Sequence, residues 1–125
     1  MTYDKRLFDY LFDQFREHPL EKAFGRKVNG QWQYHSTAQM LSMVNRASKG
    51  LLDLGLKPGD KVATVVYQTQ PEWVILDYAM LQIGVINVPM YPTISARDYQ
   101  YILTESEAQY CIVGDGDLYE KVLQA

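Results

Sequence analysis

The chain has 125 residues, enough for one domain with a buried core. Its 47% hydrophobic and 22% charged content is ordinary for a globular protein and argues against disorder. A net charge of −3 argues against a nucleic-acid binder, which wants a basic stripe. No apolar run approaches the length of a membrane span. The first ten residues carry acids and no apolar core of a secretory signal. A single cysteine, Cys111, leaves no internal disulfide and makes the cytoplasm the expected compartment.

Residues 4–16 place Leu7, Phe8, Leu11, Phe12 and Phe15 at the spacing of an amphipathic helix. Its polar face mixes Asp9, Asp13 and Glu17 with few cations, which favours docking on the protein body over an anionic membrane. Pro19 after His18 ends it. Residues 23–35 read as a β-hairpin, with Asn29-Gly30 supplying the positive φ angles of a two-residue turn. Ser36 and Gln39 form a capping-box pattern. The helix they open carries Met40, Val44, Ala47, Leu51 and Leu54 on one face and closes at Gly55, with Met40 and Met43 expected as core filler.

A turn through Pro58-Gly59-Asp60 leads into residues 61–67, KVATVVY, β-branched and apolar as in a strand buried on both faces. Pro71 suits the first turn of a helix and Glu72 its positive dipole end. Residues 73–83 are apolar nearly all round, so that helix is expected to lie between layers. Gly84 ends it, 85–88 form a short strand, and Pro89 with Pro92 are expected to stiffen the following loop. Ser95 caps a helix carrying Tyr99, Ile102 and Leu103; 109–113 are a third strand. Gly114-Asp115-Gly116-Asp117 is a turn before a last amphipathic helix with Leu118, Val122 and Leu123.

Strands and helices alternating at this spacing imply parallel pairing. The expected fold is α/β, the N-terminal portion of a doubly wound parallel sheet (βαβαβ) preceded by a helix and a β-hairpin. The final helix shows no glycine, proline or cationic stop signal before Ala125, so the chain is expected to be truncated.

Candidate chemistry is sparse. His18 and His35 have neither a cysteine partner nor metal-ligand spacing. Cys111, within a strand, reads as a small hydrophobe. Asp115 and Asp117 flank a glycine but lack the further ligands of a Ca²⁺ loop. No GxxxxGK[ST] or GxGxxG occurs; Gly114 and Gly116 supply only GxG after a strand. The residues on their own name no catalytic group.

Four stretches nonetheless form a specific pattern: LGLKPGDKVAT (54–64), PEW (71–73), IGVINVPMYPTIS (83–95) and YILTESEAQYCIV (101–113). With GQWQYHSTAQM (30–40) upstream, they resemble the N-terminal region of long-chain fatty-acid–CoA ligases, of the AMP-forming acyl-activating superfamily. The resemblance runs over residues 20–125 and is sharpest at VPMYPT. One departure is Thr69-Gln70, where the family more often has Asn-Arg.

The resemblance implies a large AMP-binding (adenylation) domain of which residues 1–125 are the N-terminal part, ending before the phosphate loop. It implies ATP, Mg²⁺ and CoA as cofactors of the full-length enzyme and a fatty acid as substrate, with acyl-adenylate as intermediate. The partners are the remainder of the adenylation domain and a C-terminal domain. No ligand is expected on these residues alone, no transmembrane segment, and no catalytic residue among them; peripheral membrane association would belong to the full-length enzyme. By position, Tyr91 and Thr93 are the residues placed toward the CoA tunnel, in a loop after a strand's carboxyl end, where open α/β sheets bind ligands. The alternative is that Pro89 and Pro92 shape a tight turn with Tyr91 packed beneath it. Lys121 is set by the same resemblance near the CoA 3′-phosphate, with a solvated helix lysine as the alternative. A stand-alone flavodoxin-like binding module is the competing reading of the whole chain. A dimerisation surface is compatible with the ligase reading, and strand edges and apolar helix faces left by truncation would also let the isolated piece self-associate.

Overall fold

A computed structural model describes residues 4–68 and 70–125; the Thr69 half of the Thr69-Gln70 departure falls outside them. The elements run α1 (Asp9–Glu17), β1 (Phe24–Val28), β2 (Gln31–His35), α2 (Thr37–Asp53), β3 (Lys61–Val65), α3 (Pro71–Ile83), β4 (Ile86–Met90), α4 (Ala96–Ser106), β5 (Tyr110–Val113) and α5 (Gly116–Gln124). They divide into two compact units, one of residues 1–55 and 70–83, the other of 56–69 and 84–125.

The first unit holds the hairpin and helices α1–α3. Asn29 and Gly30 have φ of 51° and 80°, as a primed two-residue turn demands, and pair Phe24 with His35 through to Val28 with Gln31. The Arg26 guanidinium meets the Glu72 carboxylate at 2.8 Å, tying β1 to the start of α3. Ser36 caps α2 through both arms of the box, its Oγ accepting from Gln39 N at 3.0 Å and its N donating to Gln39 Oε1 at 2.8 Å. Met40 and Val44 are buried, while Met43 is only half-buried. Thr37 is buried and its hydroxyl is fully used: it accepts from Leu20 N at 3.0 Å and donates to Gln14 Oε1 at 2.9 Å, linking α1 to α2. In α3 only Glu72 is exposed, in keeping with its apolar circumference.

Two expectations here need correction. The first helix begins at Asp9 rather than within residues 4–8, because the Asp9 carboxylate binds the Arg6 N–H at 2.9 Å and holds residues before it in a turn. Its apolar stripe is only partly covered: Leu11 is buried, Phe8 and Phe12 are half-buried, and Leu7 (67%) and Phe15 are exposed. Leu54 is not on the buried face of α2. It is the exposed C-cap, followed by Gly55 at φ 91°.

The second unit is a parallel sheet of order β4-β3-β5 with α4 and α5. Val62, Ala63, Thr64 and Val65 are all buried, so both faces of β3 are covered, as its continuous apolar pattern requires. Ala63, Val65, Met90, Tyr99 and Leu118 form the core, extended by Val88, Ile102, Cys111 and Val113. On the other face the Thr64 hydroxyl donates to Asn87 Oδ1 at 2.8 Å.

The strand at 85–88 is shifted. β4 runs to Met90 and contains Pro89, opposite Thr64, so Pro89 is not part of the loop. An edge strand tolerates a missing N–H, and β4 is an edge. β3 stops at Val65, two residues short of Tyr67, and the turn after β5 is shorter because α5 already begins at Gly116. Leu123 is exposed, so Leu118 and Val122 carry the packing of α5.

Candidate functional site at the carboxyl ends of the parallel strands

Three parallel strands deliver their carboxyl ends to one edge of the second unit: Val65 of β3, Met90 of β4 and Val113 of β5. The segments that follow, Val66-Tyr67-Gln68, residues 91–95 and Gly114-Asp115, form that edge, where side chains from sequence-distant positions meet. This is the position at which open α/β sheets take ligands, because the loops there diverge while the strands below are locked in register.

Tyr91 and Thr93 are both exposed there, Tyr91 to 78%. Tyr91 therefore does not pack beneath a tight turn. Its backbone is held instead: the Tyr91 carbonyl accepts a hydrogen bond from the Tyr99 hydroxyl at 2.9 Å. The Ser95 Oγ accepts from Asp98 N at 3.1 Å, closing the far end of the loop in a second capping box. Lys121 Nζ stands 3.5 Å from the Pro92 carbonyl and 5.3 Å from the centre of the Tyr99 ring. This lysine is half-buried and engaged rather than freely solvated.

Across the edge the Tyr67 hydroxyl donates to the Asp117 carboxylate. That bond is the first cause of two opposed shifts, the Asp117 carboxyl falling below its ordinary value and the Tyr67 phenol rising above its own. Asp117 sits in the first turn of α5. The helix start after GxG thus already carries a carboxylate in its first turn, and a phosphate there would meet negative charge. Gly114 N continues the ladder to the Val65 carbonyl at 3.0 Å, and its Cα lies against Val66.

The remaining candidates stay apart. Cys111 is half-buried and its thiol is pushed up by burial, away from nucleophilic readiness. Among the described residues no group of three His, Cys, Asp or Glu could hold a metal ion. None of the helices across the described residues is long and apolar enough to cross a membrane. Open grooves of about 480 and 320 Å³ lie along α2 in the other unit, lined in part by Ser42 and Arg46. Sequence reasoning missed the Tyr67–Asp117 pair and the hydroxyl of Tyr99. The pair spans 50 positions and leaves no local trace. Tyr99 did carry a signal, since a tyrosine on a buried helix face needs a partner for its hydroxyl.

The AMP-binding enzyme family model matches residues 11–125. The chain belongs to the AMP-binding enzyme family. Curated relatives agree with that assignment. A long-chain-fatty-acid–CoA ligase, FadD15 of Mycobacterium tuberculosis, is 35% identical over 98 residues, covering 78% of this chain and 16% of the relative. The long-chain-fatty-acid–CoA ligase ACSBG1 of Homo sapiens is 32% identical over 102 residues, covering 82% and 14%. The chain thus spans about one-sixth of the length of such relatives. Among solved structures of the same fold, the anthranilate CoA ligase AuaEII in complex with anthranoyl-AMP superposes with a TM-score of 0.81 at 18% identity, covering 99% of this chain and 23% of that one. ATP-bound MatB from Rhodopseudomonas palustris gives 0.75 at 24% identity, covering 94% and 22%.

Proposed function

We propose that these residues are the N-terminal segment of the AMP-binding domain of a long-chain fatty-acid–CoA ligase, which joins a fatty acid to CoA at the expense of ATP, releasing AMP and pyrophosphate. The observation that carries the reading is the family match over residues 11–125 together with relatives named as long-chain ligases. The segment supplies scaffold. Its donor set does not fit ATP phosphates or Mg²⁺: Asp117 sets a negative charge in the first turn of α5, and no group of three metal-ligating side chains occurs among the described residues. Those groups belong to parts of the ligase beyond this sequence. The uncharged pantetheine arm of CoA is a better match for the exposed Tyr91 and Thr93. Further strands of the same domain would extend the sheet from β4 or β5.

The test is ATP–pyrophosphate exchange with palmitate and Mg²⁺, run on the 125-residue chain and on the complete protein that carries it. Exchange by the complete protein alone is the expected result. Exchange by the short chain would overturn the scaffold assignment. A complete protein that exchanges pyrophosphate with no fatty acid would overturn the ligase reading.

A further inference from the structure

The five residues 91–95 joining β4 to α4 are held by side chains from two helices. Tyr99 of α4 is 0% exposed, packed in the core with Met90 and Leu118. A phenylalanine would fill the same volume. The hydroxyl therefore contributes nothing to core packing; its hydrogen-bond partner among the described residues is the Tyr91 carbonyl at 2.9 Å. Lys121 of α5 lies over that ring and approaches the next carbonyl, that of Pro92. Proline offers no N–H there, so the loop backbone is secured through carbonyls. With the capping box of Ser95 and Asp98 at the far end, the backbone is pinned at both ends while the side chains of Tyr91 and Thr93 point to solvent.

We propose that Tyr99 and Lys121 are positioning residues that hold the Tyr91-Pro92-Thr93 loop in the shape that receives the pantetheine arm of CoA; the choice of ligand rests on the ligase reading above. Neither residue touches the ligand. Tyr99 sets the carbonyl of Tyr91, and Lys121 braces both the ring and the next carbonyl.

Two readouts on the complete protein test this. Hydrogen exchange followed by mass spectrometry compares the wild type with Tyr99→Phe and with Lys121→Met. Loss of one such hydrogen bond should speed exchange in peptides covering residues 91–95 by about three- to tenfold, with β3 peptides unchanged. Unchanged loop exchange in both variants would refute the clamp whether or not the protein is a ligase. Steady-state kinetics then varies CoA at saturating ATP and palmitate. The expected result is a KM for CoA raised by about three- to tenfold with a much smaller change in kcat, and recovery in Lys121→Arg. A loosened loop with unchanged KM for CoA would sink the CoA assignment and leave the clamp standing. A wild type inactive with every fatty acid would instead count against the ligase reading, the exchange data being unaffected.

Discussion

Gly114 is tightly packed at the carboxyl edge of the sheet, and replacing it with alanine isolates that packing. Its φ is not in the left-handed region, so the change is steric and carries no backbone penalty of its own. A Cβ built there would lie 2.7 Å from Val66 Cγ1 and 3.3 Å from Val66 Cβ. Carbon atoms rest about 3.5–4.0 Å apart, so the methyl falls about 0.8 Å short of contact distance. Rotating Val66 moves Cγ1 but leaves the Cβ contact, and a β-branched side chain has few rotamers to offer. Moving the Gly114 backbone stretches its 3.0 Å bond to the Val65 carbonyl. Overpacking of this kind costs about 1–3 kcal/mol. For a chain of this size that is a fall in Tm of about 3–12 °C. Urea or thermal unfolding by circular dichroism measures it, and Val66→Ala supplies the control. With Val66 truncated the 2.7 Å contact with Cγ1 is gone and only the milder 3.3 Å contact with Cβ remains, so the double variant should recover at least about 1 kcal/mol relative to the sum of the single changes. Strict additivity would refute the argument, since the penalty would then come from something other than Val66.

Other predictions concern local and electrostatic features. Gly30→Ala meets no atom within 4 Å, so its cost is the φ of 80° alone, about 1 kcal/mol by denaturant titration; a loss of several kcal/mol would mean contacts the hairpin does not show. Ser36→Ala removes one arm of the capping box and should lower stability by about 1 kcal/mol, with Gln39→Ala non-additive to it. Met40, wholly buried in α2, should cost about 2–5 kcal/mol as Met40→Ala. The Tyr67–Asp117 bond stabilises the fold between the two titrations. Its carboxylate contribution is lost as pH falls through the depressed Asp117 value, and its phenol contribution as pH rises through the raised Tyr67 value. In Tyr67→Phe, the Asp117 carboxyl followed by NMR should titrate closer to its ordinary 3.8; an unmoved titration would remove Tyr67 as the cause.

What the sequence determined by itself is local or family-wide. The Asn29-Gly30 turn, the boxes at Ser36 and Ser95, Pro71 as the first residue of α3 and Gly84 after its end each depend on neighbours within about four positions, where backbone sterics and capping act. The parallel α/β character followed from the alternation of elements, and the AMP-binding family from four ordered motifs. The tertiary structure decided everything that needs partners far along the chain. Whether Pro89 belongs to a strand depends on β4 being an edge of β4-β3-β5, and strand order is not written in any one segment. The helical spacing of Leu7 and Phe15 identifies a face, yet only packing against α2 decides how much of it is covered. Tyr91 is exposed, and not tucked under its loop, while its carbonyl is bound by the hydroxyl of Tyr99 eight residues later. Such contacts form when chain closure brings distant residues together, and a linear pattern holds no record of which of several compatible partners will be met.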